Sequence, residues 1–162
     1  MNEIDTLTGR HTDREIVLTR LLDAPRELVF RVWTEPQHIA QWWGPDGFTN
    51  TIHQMDVRPG GNWRFIMHGP DGTDYPNRIV FKEVDPPRRI FYAHGDDDGG
   101  EEFKPSFHAE VTFIEEADKT RLVLRMIFDS VEAAEKVKAF GAVEGGKQTL
   151  DRLAAHLQRL RA

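Results

Sequence analysis

Residues 143–160 read VEGGKQTLDRLAAHLQRL, and their spacing decides the fold. Val143, Gly146, Leu150, Leu153, Leu157 and Leu160 recur at alternating intervals of three and four. At 3.6 residues per turn these positions form one apolar stripe over about five helical turns. A stripe that long needs a partner surface of matching length, because burial of its leucines drives the packing.

The partner lies upstream, where side chains alternate. Phe107, Ala109, Val111 and Phe113 share one side of a strand over 106–116. Leu122, Leu124, Met126 and Phe128 share one side of the next, over 119–129, and Trp63, Phe65 and Met67 one side of 61–69. Arg64, His108, Glu110, Thr112 and Arg125 stand opposite them. Successive strand residues point to opposite faces, so this pattern predicts an antiparallel sheet with one dry face and one wet face. The dry face is the only surface in the chain that matches the helical stripe.

The remaining chain fits around that pair. Strands are expected over 14–21, 50–58, 74–84 and 88–95, punctuated by Gly69-Pro70-Asp71-Gly72, Asp85-Pro86-Pro87 and Ala117-Asp118-Lys119. Asp23 as a cap and Pro25 in the first turn signal a helix whose apolar face is Pro25, Leu28, Val29, Val32 and Trp33. A second short helix restarts at Thr34-Glu35-Pro36, runs to about Trp42 and breaks at Gly44-Pro45-Asp46-Gly47. Ser130 can cap a helix over 131–140 that Gly141 closes. Asp96 to Glu102 holds five carboxylates and two glycines, which predicts an exposed, mobile loop. The fold class is therefore α+β: a curved antiparallel sheet of about six or seven strands wrapped around a long C-terminal helix, with two short helices after the first strand. It forms one domain over 14–162, preceded by a flexible arm over 1–13.

Composition bounds the function. A net charge of −6 argues against nucleic acid and against anionic membrane surfaces, both of which need clustered Lys and Arg. The chain has no cysteine, so disulfides, thiolate catalysis and Cys-bound zinc are absent, which suits a reducing cytoplasm. No apolar leader and no run near ~20 apolar residues is visible. Its 10 Phe and 4 Trp against 2 Tyr are a large apolar payload for an interior.

A straight helix against a curved sheet leaves room for a cleft. Its expected ligand-binding walls are Trp42, Trp43, Trp63, Phe65, Met67, Tyr92, His94, Phe107, Met126, Phe128, Gly146 and Leu150. Trp42 and Trp43 stack on a ligand at the mouth or plug the sheet against the short helices; a compromise follows, since adjacent residues cannot both face inward equally. Gly145-Gly146 weakens its helix, as a frayed first turn or as room for a ligand. His94 shares parity with Ile90 and Tyr92, so His94 and Tyr92 are the catalytic candidates. The alternative is a satisfied interior histidine or one at a solvated strand end. His68 and His108 fall on the polar parity. Glu83 shares parity with Ile79 and Phe81 unless a β-bulge turns it out. The seven histidines contain no HxH or HExxH pair, and no dinucleotide or phosphate-binding glycine loop is present, so neither metal nor cofactor is expected.

The motifs resemble one family. Ala24-Pro25-Arg26-Glu27-Leu28-Val29-Phe30 with Trp33-Thr34, then Trp42-Trp43-Gly44-Pro45, Val57-Arg58-Pro59-Gly60-Gly61-Asn62-Trp63, Gly69-Pro70-Asp71-Gly72 and Val84-Asp85-Pro86-Pro87-Arg88-Arg89-Ile90 are similar, in order and spacing, to the small bacterial, single-domain form of the family named for activators of the Hsp90 ATPase. That family lies within the START-like and birch-pollen-allergen-like helix-grip superfamily, and the resemblance covers about residues 14–160. It implies the helix-grip fold. It also implies binding of a small hydrophobic or aromatic molecule, since members of the superfamily bind lipids, steroids, polyketides and plant hormones, and some cyclise or hydrolyse them. The family name adds a stress-response association. The eukaryotic co-chaperones join this domain to a further N-terminal domain for which this chain is too short, so chaperone activation does not carry over by name. Three classes of function follow: an apolar ligand binder, a cyclase, dehydratase or hydrolase acting in the same cavity, and a protein-interaction module, as a homodimer or with a co-chaperone-like partner.

Overall fold

The computed structural model describes residues 13–100 and 102–161. The expected N-terminal arm lies outside these residues apart from Asp13, as does Glu101 of the acidic loop. Seven strands form one sheet: β1 (Glu15–Leu22), β2 (Thr49–Met55), β3 (Asn62–His68), β4 (Asp74–Asp85), β5 (Arg89–Asp96), β6 (Phe107–Glu116) and β7 (Lys119–Ile127). Every neighbouring pair is antiparallel, in the order β1-β7-β6-β5-β4-β3-β2. Helices α1 (Arg26–Thr34) and α2 (Pro36–Trp42) follow β1, and α3 (Val131–Ala139) and α4 (Ala142–Arg161) end the chain.

Strand parity holds where it was clearest. Trp63, Phe65, Ala109, Val111, Phe113, Leu122, Leu124 and Phe128 are buried. The opposite face carries ion pairs between Arg89 and Glu110 at 2.6 Å and between Arg125 and Glu15 at 3.0 Å. Glu83 is turned outward by a bulge between Phe81 and Glu83, and its carboxylate pairs with Arg89. Thr120, fully buried on β7, donates to the Ala24 carbonyl at 2.8 Å and pins the β1–α1 link to the sheet.

Two helical expectations need correction. Asp23 does not cap α1: Pro25 occupies the N-cap position and no side chain bonds there. The α4 stripe ends early, because Leu160 is 43% exposed, whereas His156, one residue before Leu157 on the same side, is 3% exposed. By contrast, Ser130 does cap α3, accepting from the Ala133 N–H at 3.1 Å. Gly141 then adopts a φ of +86°, the left-handed backbone that lets α4 leave at an angle from α3.

Candidate functional site

Between the dry face of the sheet and the α3–α4 elbow lies a cavity of about 400 Å³. That volume is within the range of small-molecule sites. The sheet supplies Met67 from β3, Tyr92 and His94 from β5, Phe107 from β6, and Leu124 and Met126 from β7. Trp33 on α1 and the Trp43-Gly44-Pro45 segment close one side. Val137, Phe140, Gly141, Ala142, Gly145, Gly146 and Thr149 form the elbow side. None of these side chains carries a full charge at neutral pH.

The two adjacent tryptophans take different roles. Trp42 is fully buried, donates its indole N–H to the Val32 carbonyl at 3.1 Å and packs 4.9 Å from Trp33. It plugs the two short helices together and does not line the cavity. Trp43 does line it, meeting Trp33 edge-on at 5.7 Å and Trp63 at 5.0 Å. Four more of the expected wall residues are displaced from it. Trp63 and Phe65 stack on each other at 4.1 Å, and Trp43 packs edge-on against both rings. Phe128 packs behind Phe107 at 5.3 Å, and Leu150 is core, 2% exposed. Strand parity points a ring inward; it does not say whether another ring stands in front of it.

The structure brings Trp43, Met67, Tyr92, His94, Phe107, Met126 and Gly146 together around one space. Gly146 does so for a reason beyond room. A Cβ there would stand 2.4 Å from Leu18 Cδ1, so this glycine lets α4 lie close on β1. Of the lining residues that sequence reading did not place in the walls, Trp33 had a signal, since it lies on the apolar face of α1. Phe140 had none: it is 81% exposed and lines the mouth only because the chain turns at Gly141.

The shape of the mouth depends on one cation. Arg152 on α4 donates to the carbonyls of Gly44 at 2.8 Å, Pro45 at 2.9 Å and Phe48 at 3.1 Å, with longer bonds to Gln41 and Trp43. These acceptors are the C-terminal end of α2 and the turn after it, where carbonyls lack helical partners. Burial pulls the guanidinium below its ordinary pKa.

Polarity inside the cavity concentrates on β5. His94 Nε2 lies 2.8 Å from Asn77 Oδ1, and Asn77 Nδ2 donates to the Tyr75 carbonyl at 2.7 Å. The amide is thereby oriented with its oxygen toward the ring, so Nε2 carries the proton and Nδ1 is a bare acceptor. Burial pulls His94 down to about 4, so it is neutral at pH 7, and the same cause pushes the Tyr92 phenol up. The two rings are 6.4 Å apart, and among the described residues neither Tyr92 Oη nor His94 Nδ1 has a hydrogen-bond partner. Thr149 is satisfied by donating to the Gly145 carbonyl at 2.9 Å. Among the described residues no group of three His, Cys, Asp or Glu could hold a metal ion, and no helix is long and apolar enough to cross a membrane.

A curved antiparallel sheet gripping a long C-terminal helix around an apolar cavity defines the helix-grip class of the START-like superfamily. Within it, the chain belongs to the Activator of Hsp90 ATPase homolog 1-like protein family, whose model matches residues 23–158. Among solved structures, protein Ms6760 from Mycobacterium smegmatis is 26% identical with a TM-score of 0.82, covering 99% of this chain and 96% of that one. Protein NE0264 from Nitrosomonas europaea is 24% identical with a TM-score of 0.82, covering 94% and 99%. An AHSA1-like protein from Aeromonas hydrophila is 19% identical with a TM-score of 0.70, covering 90% and 93%. The last two likenesses bear on the fold alone. No curated protein matches the chain.

Proposed function

We propose that this chain, folded as one domain over 14–162, binds a small, mostly apolar molecule in the cavity between the sheet and α4. The observation that carries this is a space of about 400 Å³ in the dry interior, walled by Trp, Phe, Met and Leu side chains and bearing only a few polar groups. The cleft opens to solvent at its mouth beside exposed Phe140, so its apolar walls meet water, and displacing that water is favourable. An apolar ligand seated there would bury those walls. A thermal-shift and native mass-spectrometry screen against lipids, aromatics and polyketides tests the reading. The expected result is one-to-one complexes and a raised Tm for a subset of aromatic or apolar compounds. A screen in which nothing binds would overturn it.

An enzyme of cyclase, dehydratase or hydrolase type is the second reading, because His94 and Tyr92 are two titratable groups lining one cavity. Their environment favours binding over catalysis. A base pulled down to about 4 and a phenol pushed up are both poorly poised for proton transfer at pH 7. A protein-interaction role would draw on exposed Leu21 of β1, Tyr75 of β4, Val131 and Phe140 at the two ends of α3, and Leu160 of α4.

A further inference from the structure

The cavity's polar groups are few, and their donor and acceptor roles are fixed. His94 is held by Asn77 with Nε2–H outward to the amide oxygen, which leaves Nδ1 able only to accept. Tyr92, two residues away on the same face of β5, presents a hydroxyl that can donate. Among the described residues, no lysine, arginine, aspartate or glutamate lines the space.

We propose that the cavity selects a neutral, hydroxyl-bearing aromatic molecule, a phenol or aryl alcohol, whose hydroxyl accepts from Tyr92 Oη and donates to His94 Nδ1. This rests on the reading of the cavity as a ligand site. A hydroxyl satisfies both protein groups at once. A ketone accepts from Tyr92 but leaves Nδ1 unpaired. A plain hydrocarbon strips water from both groups and returns nothing, and an unmade hydrogen bond in a dry site is costly. A carboxylate is the worst case. It would bring a full negative charge into a space without a cation and set it against the Nδ1 lone pair. The ranking is therefore hydroxyl, carbonyl, hydrocarbon, carboxylate. The aromatic preference comes from the edges and faces that Trp33, Trp43 and Phe107 offer around the same space.

Titration of the ¹⁵N-labelled chain at pH 7 with 2-naphthol, naphthalene and 2-naphthoate, followed by amide shifts in NMR, separates the possibilities. The expected result is that 2-naphthol binds roughly tenfold more tightly than naphthalene, and 2-naphthoate more weakly than either. The Tyr92→Phe variant, which removes a hydroxyl with no protein partner and so keeps the fold, should narrow the tenfold gap to about threefold or less. Equal affinities for naphthalene and 2-naphthol, or tightest binding of 2-naphthoate, would overturn the selectivity and leave the binding reading standing. A gap that survives Tyr92→Phe unchanged would also overturn it. No saturable shift with any of the three would overturn the binding reading and this one with it.

Discussion

Arg152 on α4 and Gly44, just past α2, are joined by a 2.8 Å hydrogen bond from guanidinium to carbonyl. That bond ties the long helix to the turn that closes one side of the cavity. Gly44 is a fitting acceptor position: its φ is +98°, and a Cβ there would stand 2.8 Å from Met67 Cε. Arg152 is the main clamp on this turn, helped by Gln148, which accepts from the Asp46 N–H at 3.1 Å, and by Asn50, which donates to the Trp43 carbonyl at 2.9 Å.

Replacing Arg152 with Met should cost about 2–4 kcal/mol, because a cluster of partly buried carbonyls loses a charged donor. Lysine should recover less than half, since one ammonium cannot reach carbonyls spread from Gln41 to Phe48. Urea denaturation of both variants checks this. Equal stability of Arg152→Met and the parent chain would show that the clamp does not matter.

The neighbouring glycines of α4 should respond in opposite directions. A Cβ on Gly145 would make ordinary contact with Pro45 at 3.4 Å, so Gly145→Ala should stabilise by up to about 1 kcal/mol through helix propensity. Gly146→Ala gains the same propensity but must displace buried Leu18, which should leave a net loss of about 1 kcal/mol. Thermal melts of the two variants side by side decide it.

Two buried histidines give the fold a pH dependence. Burial pulls down His94, to about 4, and His156, which also faces His38 at 3.1 Å and Arg159. A histidine held neutral in the folded state contributes fully above the unfolded pKa of about 6.5, and the contribution is lost as pH falls toward the folded value. His94 alone should supply up to about 3 kcal/mol at pH 7 that fades between about pH 6.5 and 4. The change in urea midpoint between pH 7 and pH 4.5 should therefore shrink in His94→Gln. An unchanged difference would contradict the burial of this ring.

Ala142 lines the elbow side of the cavity at the first turn of α4, half-buried. Ala142→Trp should keep the fold and weaken 2-naphthol at least roughly tenfold by occupying the space, in line with the ~1–3 kcal/mol that filled or lost apolar contacts carry. Isothermal titration of the variant against the parent measures it.

The periodicities made the frame of this protein legible. Strict alternation in 107–113 and 122–128 and the Leu150, Leu153, Leu157 stripe leave one arrangement in which every apolar face is covered. The cavity was legible in part, for reasons particular residues show. Trp63 and Phe65 point inward as their parity requires, yet Trp43 packs against both. His156 is buried because α2 brings His38 to it, a long-range pairing that no local spacing reveals. Phe140 reaches the mouth through the left-handed turn at Gly141, and a chain direction set by one dihedral leaves no mark in hydrophobic periodicity.

The central claim is that the space between the sheet and α4 holds a ligand. Crystals soaked in 4-iodophenol test it most directly, because iodine is located by its anomalous signal without bias from the protein. The account predicts an iodine peak inside the cavity among Trp33, Trp43, Tyr92 and Phe107, with the phenol oxygen toward His94 and Tyr92. Iodine found only on the outer surface, with the cavity unchanged, would contradict it.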